Sequence, residues 1–421
     1  MLCQLFLLPL YSNKQLIMSK IDKKSENVMS ISLKIAELDT RIDRCKIHSA
    51  EAIVFITISA VLCGCRTWND IEDFGWSKLE FFKKFLDGLE SIPSHDTISR
   101  FFKALKPEGL EERYREWVRY VINRRNPDCK PPERDEDRDV VAVDGKTIRR
   151  ASETPYEKKW RMKNDPVKGP SHSRMHVVSA YSTSNGISLG QVKVDGKSNE
   201  IPAVRELLGA IDVEGCIISA DALNCQKSTV KAILKANAKF MLTVKANQEA
   251  LMIAIWKMIW RGHRLARTGV VKYVTQECEH GRTEIRECYT SDRMDFMAEE
   301  IRKQWPWVRT VGEIITTRQE PGKEPVTERR CFISNLENSA KLHMSVSRKH
   351  WQVENNLHWQ LDVNFLEDAG RKKNNEALNF STICKIALAA LNNMDDKRPI
   401  NRKMKVAGWN DDYLLKLLEK L

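Results

Sequence analysis

Three acidic residues lie in settings where a carboxylate can do chemistry rather than only solvate a surface. Asp144 follows the apolar run Val-Val-Ala-Val and precedes Gly-Lys, and Asp221 follows Ile-Ile-Ser-Ala in the same way. An acid that emerges from an apolar strand is seldom there for packing alone, because an unpaired buried charge is costly. Either aspartate by itself also fits a turn or capping residue. The pair together favours a shared site.

The third acid, Glu354, lies on a predicted helix among tryptophans, amides and cations in residues 348–371. His350, Glu354 and His358 fall near one face of that helix at helical spacing. A capped or surface acid is the alternative for Glu354, and three nearby acids compete with it as the third member of the site: Asp362, Glu367 and Asp368.

Carboxylates that converge from rigid elements are typical of a site that binds Mg²⁺, since this ion prefers oxygen ligands and keeps several waters. Two such ions about 3.5–4 Å apart clamp the attacking and leaving oxygens of a phosphodiester. Asp144, Asp221 and Glu354 therefore predict a metal site for phosphodiester chemistry on a DNA-handling protein.

The elements that must position these acids follow an α/β order after residue 138. Strands are predicted at 140–148, 176–181, 187–194, 216–221 and 240–245, with helices at 201–211 and 226–236. Three strands followed by helix, strand, helix and strand is the order of an RNase H-like core. In such a core the first and fourth strands are neighbours, so Asp144 and Asp221 are expected to lie side by side.

The rest of the chain is predicted to divide around that core. Residues 30–125 form an all-α N-terminal domain, for which DNA binding and a plain helical bundle are both open, and residues 126–138 are a polar linker. The core occupies 139–264 and resumes with its last helices at 336–395, after a β-rich insertion at 265–335. Residues 396–421 are a basic C-terminal tail. Residues 1–29 are an extension outside the fold, whose apolar start lacks a basic region and is too short to span a bilayer.

The composition fits a basic globular protein. Of 421 residues, 42% are hydrophobic and 30% charged, and the net charge is +12. Such an excess suggests a polyanionic partner, because Lys and Arg that meet phosphates release counterions. A basic protein without such a partner fits the charge equally well. Eleven cysteines without a Cys-x-x-Cys pair favour a reducing compartment over a disulfide framework.

Two basic stretches are candidates for contact with the DNA backbone. Arg282, Glu284 and Arg286 alternate onto one face of a predicted strand, where either phosphate contact or an ion-pair ladder is open. The loop at 145–176 carries six further cations, and a solvated loop is the alternative there: Lys158, Lys159, Arg161, Lys163, Lys168 and Arg174.

Six motifs in this order together identify a family resemblance. They are Val-Asp144-Gly-Lys-Thr, Lys-Ser-Asn-Glu-Ile at 197–201, Asp221-Ala-x-x-Cys-Gln-Lys, Lys245-Ala-Asn-Gln, His280-Gly-Arg-x-Glu-x-Arg286 and His350-Trp-x-x-Glu354-Asn-x-Leu-His-Trp. Over residues 45–393 the chain resembles the H-repeat-associated branch of the insertion-sequence DDE transposases.

The resemblance implies a transposase with an RNase H-like core that uses Mg²⁺ (or Mn²⁺), as two ions. It implies cleavage of double-stranded DNA at terminal inverted repeats and strand transfer into target DNA. The expected setting is a homodimer on paired ends, at the nucleoid in the bacterial cytoplasm and not at a membrane. Asp144, Asp221 and Glu354 would be the catalytic, metal-binding residues. We expect DNA contacts from Lys146, Arg282, Arg286, Arg348, Lys349 and His350.

The chain departs from the broader class around the catalytic glutamate. Where that class often carries Tyr, Arg and Lys, this sequence has Ser347, His350 and Leu361. The route of end processing, including any hairpin intermediate, is therefore left undefined. Two other readings stay open: a degenerate or domesticated copy that binds DNA without catalysis, and an RNase H-like nuclease that cleaves without joining.

Overall fold

The computed structural model describes residues 23–42, 46–126, 132–149, 151, 175–194, 200–264, 269–279 and 281–421. Most of the predicted N-terminal extension, the cations of the 145–176 loop from Lys158 onward, His280 and residues 197–199 lie outside these ranges. The first helix begins at Lys23, within the predicted extension. The chain divides into two compact units.

The helices are given in chain order. They are α1 (Lys23–Ala36), α2 (Ala50–Leu62), α3 (Trp68–Ser77), α4 (Leu79–Phe82), α5 (His95–Ala104), α6 (Pro107–Arg125), α7 (Glu200–Ala210), α8 (Lys227–Lys235), α9 (Glu249–Arg264), α10 (Glu299–Gln304), α11 (Ala340–His350), α12 (Trp359–Val363), α13 (Asn374–Asn392), α14 (Ile400–Trp409) and α15 (Asp411–Leu418). A π-helix, Val353–His358, lies between α11 and α12.

The strands are β1 (Val140–Ile148), β2 (Met175–Ser182), β3 (Ile187–Lys193), β4 (Ile217–Ala220), β5 (Lys239–Val244), β6 (Val271–Glu279), β7 (Arg282–Ser291), β8 (Thr310–Gln319) and β9 (Val326–Ser334). No helix within the described ranges has the length and apolar character needed to cross a membrane.

The first unit is helical and contains residues from both halves of the chain. Among the described residues it comprises those up to Trp117, Asn364–Leu366 and Asn375–Leu421. Helix α2 is capped by Ser49, whose side chain accepts a hydrogen bond from the Ala52 amide, and it is buried almost all round. Phe55 on this helix meets Phe82 edge-on, with ring centroids 5.8 Å apart.

Residues 396–421 are part of this helical core, which differs from the predicted tail. Leu414, Leu417 and Leu418 on α15 are fully buried. The Trp117 indole N–H donates a hydrogen bond to the Leu421 carbonyl. Its leucines return at helical spacing to bury one side, and the basic Lys403 is itself buried, where its Nζ donates to the Leu391 carbonyl.

The second unit is built on one mixed sheet. The strand order is β3-β2-β1-β4-β5-β9-β8-β7-β6, in which β1, β4 and β5 run parallel and all other neighbours are antiparallel. The predicted β-rich insertion forms the last four strands of this same sheet, because β9 pairs with β5 from Met241↔Ser334 to Val244↔Cys331. An apolar strand such as β5 needs a partner on each side, and β9 supplies the second one.

The pairing of β1 with β4 positions the two aspartates. The strands pair in parallel from Val140↔Ile217 to Val143↔Ala220. Asp144 and Asp221 each follow this pairing by one residue, so the two aspartates lie side by side on segments that leave strands spaced about 4.8 Å apart. Helix α11 packs against this sheet through Leu342 and Val346, which join a core cluster that includes Ile217. The π-helix that follows α11 thereby reaches β1 at Asp144.

Candidate active site

Asp144 lies on β1 and is largely buried, its side chain 28% exposed. Burial raises the pKa of Asp144 to about 6, and the negative charges of Asp221 and Glu200 add to this rise. The charge of His358 and the backbone N–H of Gly145 oppose it. Such a carboxyl group is stabilised as an anion when a cation is brought next to it.

Asp221 directly follows β4 and caps a short 3₁₀ turn. Its Oδ1 accepts hydrogen bonds from the Asn224 backbone N–H at 3.3 Å and from the Asn224 side-chain amide at 2.8 Å. Both bonds go to Oδ1, so neither occupies Oδ2. The cap fixes the carboxylate in orientation beside Asp144, whose pKa responds to its charge.

Glu354 and His358 come from the π-helix and meet Asp144. His358 Nδ1 lies 3.2 Å from Glu354 Oε2 and 3.5 Å from Asp144 Oδ2. One donor atom from each of these three residues lies within 4.8 Å of the other two. The hydrogen bond with His358 lowers the pKa of Glu354 against the effect of burial. π-Helical turns inside α-helices are frequent at functional sites.

The structure thus brings Asp144 and Glu354 together, with Asp221 next to Asp144. The oxygen-rich donor set fits Mg²⁺ or Mn²⁺, which are bound mainly through carboxylates. The competing acids are held in ion pairs instead: Asp362 and Glu367 pair with Lys146, and Asp368 pairs with Arg149.

Sequence reasoning placed His358 on the face of Glu354 but gave it no role, although the i, i+4 spacing was visible. It also missed a hydrogen-bonded chain beside Gly145. His176 Nε2 donates to Glu200 Oε1 at 2.7 Å, and His176 Nδ1 lies 2.9 Å from the Thr147 hydroxyl. A Cβ at Gly145 would lie 2.4 Å from Glu200 Oε1, so the glycine is what lets Glu200 approach.

Two of the residues predicted to contact DNA point into the protein. Lys146 Nζ is 2.6 Å from Asp362 Oδ1 and also bonds Glu367, and its side chain is only 10% exposed. Burial lowers the pKa of Lys146, but these two carboxylates outweigh it and raise the pKa overall. His350 Nδ1 is hydrogen-bonded to the Ser219 hydroxyl at 2.6 Å, and burial lowers its pKa. The geometry of both differs from that of a DNA contact.

Three other predicted contacts, Arg282, Arg286 and Arg348, line a common cleft of about 400 Å³. We call it the arginine cleft. It lies between strands β7–β9 and the end of α11, and Arg318, Arg330, Trp351 and Asn355 also line it. Lys349 is half-buried on α11 and does not line the cleft.

The arginine cleft is an ion-pair network with an excess of positive charge. Buried Glu284 lies 3.0 Å from Arg286 and 3.1 Å from Arg318. Arg330 lies over the Trp351 ring, 4.9 Å from its centroid. The predicted ion-pair ladder is therefore present, and its guanidinium groups line an open cleft, whereas phosphate contact at this face stays a prediction.

Comparison with known proteins gives a consistent result. Residues 135–390 match the family described as "Transposase DDE domain", and residues 36–118 match "DDE_Tnp_1-associated". The chain is 35% identical over 376 residues to "Putative protein YbfL" of Escherichia coli (strain K12), covering 88% of this chain and 92% of that protein. It is equally similar, with the same coverage, to "H repeat-associated putative transposase YhhI" of the same strain. A third relative, "Putative transposase YncI" of Escherichia coli O157:H7, is 33% identical over 88% of this chain and 89% of its own length.

Proposed function

We propose, since this chain belongs to the family of transposases that carry a DDE domain, that it serves a bacterial insertion sequence. In this proposal it cuts DNA at the terminal inverted repeats of its element and joins the released ends to target DNA. The observation that carries the proposal is the meeting of Asp144 with Glu354 beside Asp221. We assign these three residues as the catalytic, metal-binding carboxylates.

The fold supports this assignment. The order β3-β2-β1-β4-β5, with β1, β4 and β5 parallel, is the order expected of an RNase H-like core. In that architecture the acids come from the first strand, the end of the fourth strand and a later helix. Asp144, Asp221 and Glu354 occupy those three positions.

Two bound Mg²⁺ or Mn²⁺ ions would neutralise charge on the attacking and leaving oxygens of the scissile phosphate. Asp144, Asp221 and Glu354 would hold them. The Asn224 bonds keep Asp221 in place, and the β1–β4 pairing keeps it next to Asp144. Lys146 joins β1 to the segment after the π-helix through Asp362 and Glu367, so its role here is to position the acids.

The chemistry consists of two in-line displacements at phosphorus. In the first, a water oxygen forms a new bond to phosphorus and the bond from phosphorus to the 3′ oxygen of the element breaks. The element keeps a 3′-hydroxyl and the flank keeps a 5′-phosphate. In the second, that 3′ oxygen loses its proton and attacks a target phosphate, whose own 3′ oxygen leaves.

The partner in this proposal is double-stranded DNA, at the repeats and at the target. The arginine cleft supplies guanidinium groups that match phosphate oxygens, and Arg348 stands on α11, six residues before Glu354. Two ends must be cut in one event, so we propose a homodimer on paired ends. Such a protein would work at the nucleoid.

Two alternative functions predict different reaction products. A degenerate copy would bind repeats without cutting them, and an RNase H-like nuclease would cut without joining. The presence of all three carboxylates around the middle of β1 and the end of β4 favours a protein that still cuts.

The test is an assay in Mg²⁺ on labelled DNA that carries the terminal repeats of the flanking element. The wild type is compared with Asp144→Asn, Asp221→Asn and Glu354→Gln, which keep side-chain size and remove one charge each. We expect cleavage and joined product from the wild type and from none of the variants. Asp368→Asn is the matched control, since that carboxylate pairs with Arg149 outside the site, and it should keep both activities.

The other results are equally informative. Cleavage without joining would favour the nuclease, and repeat-specific binding without cleavage would favour the degenerate copy. Activity that survives Glu354→Gln would refute the assignment of the third carboxylate.

A further inference from the structure

We propose that His358 is a direct nitrogen ligand of one metal ion at the carboxylate site, so that the site favours Mn²⁺ over Mg²⁺. This inference rests on the proposed function. It adds to the three carboxylates a ligand of a different chemical kind, supplied by the same π-helix as Glu354.

The position of the imidazole is the first support. The His358 side chain is only 4% exposed, and its Nδ1 faces Glu354 and Asp144 together. The buried neighbours Val353, Leu357 and Leu361 surround the segment, so the ring is held on this side of the helix. An imidazole in this position touches any cation that the two carboxylates share.

The distances are the second support. Charge-assisted N–H···O bonds are about 2.7–2.9 Å long, whereas His358 Nδ1 is 3.2 Å from Glu354 and 3.5 Å from Asp144. Two donor atoms about 2.1 Å from one ion and at right angles to each other are about 3.0 Å apart. The observed separations are about 0.2 and 0.5 Å longer than this ligand spacing, so small side-chain movements would bring the three groups around one ion.

The consequence is a change of metal preference. Mg²⁺ takes oxygen ligands in near-ideal octahedral geometry, whereas imidazole nitrogen suits first-row transition metals. The preference for Mn²⁺ over Mg²⁺ should therefore be greater at a site of three carboxylates and one imidazole than at a site with oxygen ligands alone.

The test is electron spin-echo envelope modulation of Mn²⁺ added to the full-length protein, which detects a nitrogen nucleus bound directly to the ion. We expect this signal in the wild type and a changed pattern when the protein is made with nitrogen-15 histidine. In His358→Gln the signal should vanish while Mn²⁺ still binds, with affinity at least about tenfold lower. His350→Gln, a buried histidine on α11, is the matched control and should keep the signal.

Different results would overturn the role of His358 and the carboxylate site itself. Mn²⁺ that binds the wild type and is lost in Asp144→Asn, but shows no nitrogen coupling, would overturn the role of His358 alone. Isotope labelling needs no variant, so this result is independent of whether His358→Gln folds. Mn²⁺ binding that is absent, or unchanged in Asp144→Asn, would overturn the carboxylate site and the proposed function with it.

Discussion

Replacement of Arg318 by glutamine should weaken the salt dependence of DNA binding by a predictable amount. Five arginines and two glutamates line the arginine cleft, a net charge of +3. Each phosphate contact contributes about 0.9 to the slope of log affinity against log salt, so the cleft contributes at most about 2.7. Between about 50 and 200 mM salt, a slope of that size lowers affinity about 40-fold.

Arg318→Gln removes one of those charges. The slope should fall by about 0.9, and the loss of affinity over the same salt range should fall to about 12-fold. The measurement is fluorescence anisotropy of a labelled DNA duplex of arbitrary sequence, titrated with protein at several salt concentrations. Arbitrary sequence is suitable because phosphate contacts do not depend on the bases.

The control for Arg318→Gln is Arg293→Gln. Arg293 is also ion-paired, with Asp295, and its side chain is 44% exposed compared with 47% for Arg318, but it lies outside the cleft. Its replacement should leave the slope unchanged. A wild-type slope in Arg318→Gln, or an equal fall in both variants, would refute the arginine cleft as a DNA site.

Three further predictions concern stability and the surroundings of the site. Gly145→Ala places a Cβ 2.4 Å from Glu200 Oε1, so we expect a loss of about 1–3 kcal/mol in urea unfolding and reduced cleavage. Burial lowers the pKa of His343 from about 6.5 in the unfolded chain to about 4 in the folded protein. The neutral side chain therefore makes its full contribution to the unfolding free energy above pH 6.5, and this contribution is lost as the pH falls towards 4. Unfolding free energy should therefore drop by up to about 3 kcal/mol over that window, less so in His343→Gln. Leu417→Ala should cost about 2–5 kcal/mol, because Leu417 is fully buried, whereas exposed Lys416→Ala should cost under about 0.5 kcal/mol.

The strands of the core could be read from the sequence because their pattern is local. Strand β1 has the predicted bounds, 140–148, and β4 lies within the predicted 216–221. An apolar run followed by Asp-Gly or Asp-Ala predicts both a buried strand and an aspartate that emerges from it. The neighbourhood of Asp144 and Asp221 then follows from the order of the elements.

Contacts between residues far apart in sequence could not be read in this way. Lys146 looks like a free cation, but its partners Asp362 and Glu367 are 216 and 221 positions away. The pairing of β9 with β5 could not be predicted either, because the residue pattern of a strand does not identify the strand with which it pairs. His358 was hidden for another reason: a histidine four residues after an acid fits a packed helix face as well as a ligand.

The bond between Trp117 and Leu421 also has a consequence for how the protein is made. Its two residues are 304 positions apart, and a ribosome that adds about 5–20 residues per second needs about 15–60 s to make that stretch. Until then the helices before Trp117 lack the apolar faces of α13 to α15, which complete their core. The sheet unit has all its strands by Ser334, well before. The helical unit, although it begins the chain, is therefore the later of the two to be completed during synthesis.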